Sequence, residues 1–242
     1  MASTDALFER YYYGQPDFQN GQDRFFELVE REVARGGQIL EIGAGPENAR
    51  TKRWAEIGPV TGVDISDEVF DNPDLARAEQ FDGVRLPFAD DAFDACVSVY
   101  VLEHVEHPEA HFREIARVLK PGGVYAFWTP NLYHYVSAGS NLLPHSVHLM
   151  IANPMRGRDE DEHDPYPTFY RANTGGQIER LCAAAGLETV ALDYVEKEPS
   201  YGRAHPALFW PMLAYERLVN RFDGLSGLRA NLQGVVRAPD RG

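Results

Sequence analysis

Ile39-Leu40-Glu41-Ile42-Gly43-Ala44-Gly45-Pro46, with Val63-Asp64 downstream of it, is the part of the chain on which the fold turns. The first four residues read as a short buried strand that runs into a glycine turn. Residues 49–57 follow with helical spacing, and Gly58-Pro59 ends that helix. A strand that ends in Gly-x-Gly before a helix lets a ligand approach the backbone closely. The helix N-terminus brings N–H groups to the same place. Residues 60–65 read as the next strand. Asp64, near its end, has the chemistry to accept two hydrogen bonds from ribose hydroxyls.

Outward from this unit the same alternation continues. Residues 24–34 carry Phe25, Phe26, Leu28, Val29 and Val33 at helical spacing, and Gly36-Gly37 stops the helix. Residues 93–100 form a strongly apolar run expected to be a central strand. Residues 108–119 read as an amphipathic helix with Pro108 in its first turn. Pro121-Gly122-Gly123 reads as a turn and 124–128 as a further strand. Strands that alternate with helices imply a parallel sheet covered on both faces, the doubly wound α/β class. The rhythm breaks after Pro130. Residues 131–172, rich in His, Pro, Tyr and Asn, read as an irregular cap, a kind of segment that is usually functional or disordered. Asn173 or Thr174 then caps a helix to residue 185. A strand at 187–195, a helix at 207–222 and a closing strand at 232–237 complete a single domain spanning 1–242.

With 242 residues, 44% of them hydrophobic and 25% charged, the chain can bury a sizeable core and is not broadly disordered. A net charge of −14 repels phosphate backbones, so no nucleic-acid partner is expected. Cys96 and Cys182 sit in apolar stretches and read as buried thiols. No Cys/His cluster has zinc spacing, and no metal is expected. There is no apolar signal core at the N-terminus and no run long enough to span a bilayer, so a cytoplasmic location is expected. Oligomeric state is not legible.

The glycine turn alone fits a nicotinamide dinucleotide as well as S-adenosylmethionine. Three features separate them. The dinucleotide pattern Gly-x-Gly-x-x-Gly needs glycine where Asn48 stands. Glu41, just before the turn, offers a carboxylate to an ammonium group, directly or through water. The third is the order of EIGAGP (41–46), VDIS (63–66), DGVRLPF (82–88), FDACVSVYVLEHV (93–105) and REIARVLKPGG (113–123). In these segments the chain resembles the class I S-adenosylmethionine-dependent methyltransferases, in particular the type 11 group that includes the ubiquinone-biosynthesis enzymes. The resemblance covers residues 38–130.

That resemblance implies a Rossmann-like sheet of seven strands in the order 3-2-1-4-5-7-6, the last antiparallel, and S-adenosyl-L-methionine as cofactor, with S-adenosyl-L-homocysteine as product. It implies that Gly43, Ala44 and Gly45 line the methionine and ribose, that Asp64 holds the ribose hydroxyls, and that Ile65 packs on adenine. Asp82 and the Gly83 N–H are expected at the adenine edge, and Val99 and Tyr100 beside the methionine arm. The chain departs from the pattern at Glu47, where the family has a glycine. It departs again at Tyr100, where related quinone enzymes carry the first Glu of Glu-x-x-Glu-His; Glu103-His104 alone makes a poor magnesium site.

For the acceptor the sequence offers candidates. His104 is the first candidate for a general base, against a reading in which its ring only caps the following turn. Tyr133, His134, His145, His148 and His163 are alternatives within the cap. In similar enzymes an N-terminal aromatic closes over the cofactor, a role open to Tyr12 and Tyr13 in the run Tyr11-Tyr12-Tyr13; plain packing is equally open. Leu208-Phe209-Trp210-Pro211-Met212-Leu213 reads as a core helix, or as a lipid-facing lid or dimer surface. The expected function is methylation of a small-molecule acceptor, at oxygen. The alternatives are N- or C-methylation of a hydrophobic or lipid-linked acceptor, and a non-catalytic cofactor-binding or scaffold protein.

Overall fold

The computed structural model describes residues 3–142, 166–203 and 206–240. The chain divides into two compact units. One gathers Met1–Arg24, Asn131–Pro167 and Tyr194–Asn231; the other gathers Phe25–Pro130, Thr168–Asp193 and Leu232–Gly242.

The second unit is organised on a seven-stranded sheet. Its strands are β1 (Ile39–Ile42), β2 (Val60–Asp64), β3 (Arg77–Gln80), β4 (Phe93–Val99), β5 (Leu119–Pro130), β6 (Glu188–Val195) and β7 (Asn231–Arg237), in the spatial order β3-β2-β1-β4-β5-β7-β6. Parallel pairing joins β1 to both β2 and β4, β2 to β3, and β4 to β5. β7 runs against β5. At one end Gly122 N–H donates to the Ala238 carbonyl and Ala238 N–H to Gly123; at the other Asn131 N–H donates to Ala230. The strand order and the reversed strand agree with the resemblance.

Local chemistry sets the helices of both units. Helix α1 is Thr4–Phe8, α2 is Gly21–Glu32 and α3 is Ala49–Ala55. The side-chain oxygen of Asn48 accepts from the N–H groups of Arg50 and Thr51, which starts α3. Helix α4 (Pro108–Val118) begins on a proline that has no N–H to leave unpaired. Helix α5 is Tyr135–Leu142. Helix α6 (Gly175–Ala185) is capped by Thr174 and ends at Gly186, whose φ of +73° lets Leu187 N–H turn back to the Cys182 carbonyl. Helix α7 is Pro206–Arg221. The core of the sheet unit packs Phe25, Val29, Ile39, Trp54, Val97 and Trp128 together. In the other unit Leu7, Phe8 and Tyr12 pack on Phe209 and Leu213. Cys96 and Cys182 are both buried thiols.

Four elements differ from the sequence reading. β3 gave no signal because Arg-Ala-Glu-Gln has no apolar alternation; it is a polar edge strand, on which Arg77 bridges Glu79 at 2.7 Å. β5 starts at Leu119, not 124, and Pro121-Gly122-Gly123 is an irregularity within it: the register steps from Phe93↔Leu119 to Ala95↔Val124. The segment 131–172, expected to be irregular, contains α5. The N-terminus forms α1, capped by the Ser3 side chain and continued by a π turn over Glu9–Tyr13.

Gly234 lies close against a ring of the neighbouring strand. A methyl group placed on Gly234 of β7 would run into the ring of Phe127 of β5, with Cε2 at 2.9 Å and Cε1 at 3.0 Å. Gly234→Ala is expected to cost about 1–3 kcal/mol in urea denaturation, as overpacked cores do. Adding Phe127→Leu to the same chain should restore part of that loss; no loss in the single variant contradicts this packing.

Candidate functional site

In an open parallel sheet ligands bind beyond the carboxyl ends of the strands, where the strand order reverses. Here that point lies between β1 and β4. The segments that leave the ends of β1, β2, β3 and β4 carry the residues singled out by the sequence: Gly43–Gly45, Asp64–Ile65, Asp82–Gly83 and Val99–Tyr100. All belong to the one sheet unit.

The turn needs both glycines. Gly43 has φ +73°, and a side chain there would strike Val101; Gly45 has φ +58°. No protein atom comes within 4 Å of where a Cβ on Gly45 would be, so the turn opens on space at that point. The backbone donors are committed inward. Gly43 and Ala44 N–H both donate to the Val63 carbonyl, at 2.8 and 3.2 Å, and Gly45 N–H donates to Asp64 Oδ2 at 3.0 Å. Arg50 and Thr51 N–H are taken by the Asn48 cap. A pyrophosphate needs such N–H groups turned toward it, so this turn is poorly suited to a dinucleotide.

Asp64 is held from two sides: Gly45 N–H on Oδ2 and Ser66 N–H on Oδ1 at 2.9 Å. Each carboxylate oxygen accepts more than one hydrogen bond, so capacity remains for a pair of hydroxyls. Ile65, 44% exposed, lies beside Gly83, whose φ is +78°; a Cβ on that glycine would sit 3.3 Å from Ile65 Cγ2. Asp82 Oδ1 accepts from Val84 and Arg85 N–H at 2.8 and 2.9 Å, which closes the turn after β3 and holds its carboxyl below the usual range. Val99 is buried. Tyr100 has φ +58°, stacks at a tilt on Trp128 with centroids 5.2 Å apart, and donates its N–H to the Trp128 carbonyl.

Glu41 is turned beneath α3. Its Oε2 accepts from the Thr51 hydroxyl at 2.7 Å and its Oε1 from Trp54 Nε1 at 3.2 Å. Burial pushes this carboxyl up to about 7, against the lowering effects of Thr51, Arg50 and Trp54. The same Thr51 oxygen accepts from Asn48 and Asn72, both at 3.0 Å. Asn48 Nδ2 also reaches the Ala44 and Pro46 carbonyls, and Asn72 Nδ2 those of Gly45 and Pro46. One buried network thus fixes the outer side of the glycine turn. The sequence singled out Asn48 only as the residue in place of a dinucleotide-site glycine, not as this cap; Asn72 lies on no motif and had no signal.

His104 is half-buried at the end of a short 3-10 turn, Leu102–His104. Its neighbour Glu103 is buried and accepts from the Thr129 hydroxyl at 3.1 Å; Asn173 donates to the same hydroxyl oxygen at 2.7 Å. Burial lifts the Glu103 carboxyl to about 7. The remaining candidates fall in the other unit. Tyr12 is buried, its hydroxyl 3.3 Å from Glu216, and Tyr13 accepts from Arg203 at 2.6 Å. Tyr133 is exposed. His134 is buried beside Tyr135 and Tyr215, with Nε2 3.8 Å from Glu196 Oε2. Burial brings His134 down to about 4 and raises Glu196 to about 8. His145, His148 and His163 lie outside the described residues. Among the described residues no three His, Cys, Asp or Glu side chains are grouped to hold a metal ion.

Comparison with known proteins matches residues 40–127 to the family described as methyltransferase domain. The demethylmenaquinone methyltransferase of Mycobacterium tuberculosis is 28% identical over 166 residues, covering 62% of this chain and 69% of that one. Its counterpart in Mycolicibacterium vanbaalenii is 33% identical over 138 residues, 52% of this chain and 59% of its own. Among solved structures, the 4+2 cyclase SpnF has a TM-score of 0.59 at 20% identity, covering 94% of this chain and 84% of its own. An S-adenosylmethionine-dependent methyltransferase from Mesorhizobium loti has a TM-score of 0.56 at 18% identity, with coverages of 89% and 97%. These likenesses are of fold, which hosts more than one chemistry.

Glu41, Glu103 and Glu196 each hold a proton more tightly in the folded chain than the ordinary value of 4.5 allows in the unfolded one. The folded state therefore carries more protons from about pH 4.5 up to pH 7–8, and its stability falls as pH rises through that window. Urea denaturation should show stability falling between about pH 6.5 and 8.5, above the range in which the buried His111 and His134, brought down to about 4, act in the opposite sense. Glu103→Gln should flatten the slope; a stability that rises with pH over this range contradicts the assignment.

Proposed function

We propose that this chain is a class I S-adenosylmethionine-dependent methyltransferase and that it places a methyl group on an oxygen of a small-molecule acceptor. The observation that carries the reading is the cradle at the ends of β1 and β2. Two left-handed glycines approach a ligand as backbone, and Asp64 keeps capacity for two hydroxyls between the Gly45 and Ser66 N–H groups.

The residues present fit the cofactor. Gly43, Ala44 and Gly45 would face its methionine and ribose, Asp64 its ribose hydroxyls, and Ile65 with Asp82 and Gly83 its adenine. Val99 and Tyr100 would flank the methionine arm. Bound there, S-adenosylmethionine supplies a methyl group already activated on sulfonium. What is left to the protein is alignment, which is worth an effective molarity of roughly 10⁵ M or more. Glu41 serves this indirectly, by fixing Thr51 and so the carbonyls of the turn. An acceptor hydroxyl gains a further 10²–10⁴-fold or so from a base. His104 is assigned that role, since it follows β4 directly beyond Val99 and Tyr100. Tyr12, Tyr13, Tyr133 and His134 are assigned to the acceptor side.

A second reading is favoured by the names of the relatives, which act on demethylmenaquinone: methylation of a hydrophobic acceptor at a ring carbon. The two readings share the cofactor residues and differ in the need for a base.

Asp64→Ala should weaken S-adenosylhomocysteine binding by about 1–3 kcal/mol in isothermal titration, the value of hydrogen bonds to a charged group. Unchanged affinity removes the ribose assignment. His104→Ala should lower single-turnover methyl transfer about 10²-fold or more while leaving cofactor affinity intact. Wild-type turnover in that variant would leave the carbon-directed reading in its place.

A further inference from the structure

Helix α7 is apolar on two opposite faces. Phe209, Leu213 and Val219 are buried, and the first two pack on Leu7, Phe8 and Tyr12. The opposite face is exposed along its whole length: Ala207, Trp210, Pro211, Ala214, Leu218 and, just past the end, Phe222. At 100° per residue these six fall within one side of the helix. Trp210, Leu218 and Phe222 are 50%, 49% and 54% exposed. A helix apolar all round is normally covered all round. A contiguous exposed stripe of this kind marks a surface that meets something.

The charges say what. The only acidic residue of α7, Glu216, is buried and bound to Tyr12 and Asn220. Of its two basic residues, Arg221 is exposed along the stripe, whereas Arg217, also exposed, is turned back to Glu216 at 3.3 Å and donates to the Tyr11 carbonyl at 3.2 Å. Tyr11 packs edge-on against Trp210, and the Arg10 guanidinium lies over Tyr11, which adds a second arginine along the stripe. In a chain of net charge −14 the exposed charged residues of this helix are arginines, with the carboxylate of Asp223 next to Phe222 just past its end. Aromatic and aliphatic side chains flanked by arginines whose stems reach along the apolar surface suit the boundary between headgroups and acyl chains. No helix among the described residues is long and apolar enough to cross a membrane, so the contact is one of lying on the surface.

We propose that the outer face of α7 docks the protein on an anionic lipid bilayer. The apolar stripe enters the headgroup boundary, and Arg221 and Arg10 meet lipid phosphates. This is independent of the methyl-transfer reading and stands or falls without it.

The chain has three tryptophans, of which Trp54 and Trp128 are buried and Trp210 is exposed, so intrinsic fluorescence reports on this face. The full-length protein is mixed with vesicles of phosphatidylcholine alone or with an equal part of phosphatidylglycerol. Expected are co-sedimentation with the anionic vesicles, a blue shift of the emission, and roughly tenfold weaker binding when salt is raised from 0.05 to 0.5 M. Leu218→Ser with Phe222→Ser should weaken binding about tenfold or more, and Arg10→Glu with Arg221→Glu should abolish the preference for anionic lipid. An unchanged far-ultraviolet circular dichroism spectrum and urea midpoint in each variant certify the fold and keep this test separate from the cofactor assignment. The proposal is overturned if the anionic vesicles neither sediment the protein nor shift Trp210. It is equally overturned if light scattering shows a dimer that the Leu218 and Phe222 changes dissociate, because the stripe is then a self-interface.

Discussion

At the end of the central strand β1 the carboxyl of Glu41 is buried, and the Thr51 hydroxyl donates to it across 2.7 Å. A carboxyl in such a place costs several kcal/mol unless donors meet it. The helix after the glycine turn provides both donors, Thr51 and Trp54. That requirement fixes how α3 lies on β1. With Thr51 placed, Asn48 and Asn72 can share its oxygen and hold the carbonyls of Ala44, Gly45 and Pro46. The turn is thus gripped by its carbonyls from outside, and its N–H groups face Val63 and Asp64. A loop held in this way presents a fixed shape with few free donors, which suits a nucleoside with a cationic tail better than a pyrophosphate.

The parallel strands on either side convert that local constraint into a cleft. The crossover from β1 runs through α3 to β2 on one side, and that from β4 runs through α4 to β5 on the other, so the segments after these two strand ends diverge. Tyr100 marks the divergence. Its φ of +58° is uncommon for a tyrosine and is held by its own N–H bond to Trp128 and by ring contact with that residue. Below it Glu103, Thr129 and Asn173 tie the ends of β4 and β5 to the start of α6.

Where apolar period and glycine placement dictate structure, the sequence was transparent. β1, β2, β4 and α4 lie within a residue of their expected bounds, because buried central strands must be apolar and a helix must show one apolar side. β3 was invisible for the converse reason: an edge strand is paired along one side only, and its Arg and Glu suit exposure. β5 was shortened because Pro-Gly-Gly ordinarily ends a strand, whereas here a register shift absorbs it. At the site, Gly43, Asp64 and Gly83 are legible because backbone geometry or strand-end position demands those residue types. Glu41 was legible as an unusual acid in a buried strand, but a single sequence does not tell a ligand contact from a structural one. Asn72 and Thr51 act through the fold, and only the fold reveals them.

The acidity of the chain reads differently once burial is known. Several carboxyls, Glu41, Glu103, Glu196 and Glu216 among them, are inside and contribute little to the outer surface. The net charge of −14 describes the whole chain and does not describe each of its faces. Electrostatic attraction at a surface is decided within a Debye length, about 8 Å at physiological salt. On that scale the exposed side of α7 is an apolar band with Arg221 and Arg10 along it and Asp223 at its end, a balance that the sum over the whole chain does not describe. A count over the sequence therefore argues against a long polyanion, which must be met over many residues. It leaves open a small basic, apolar contact with a lipid surface, because only the charges of one helix take part.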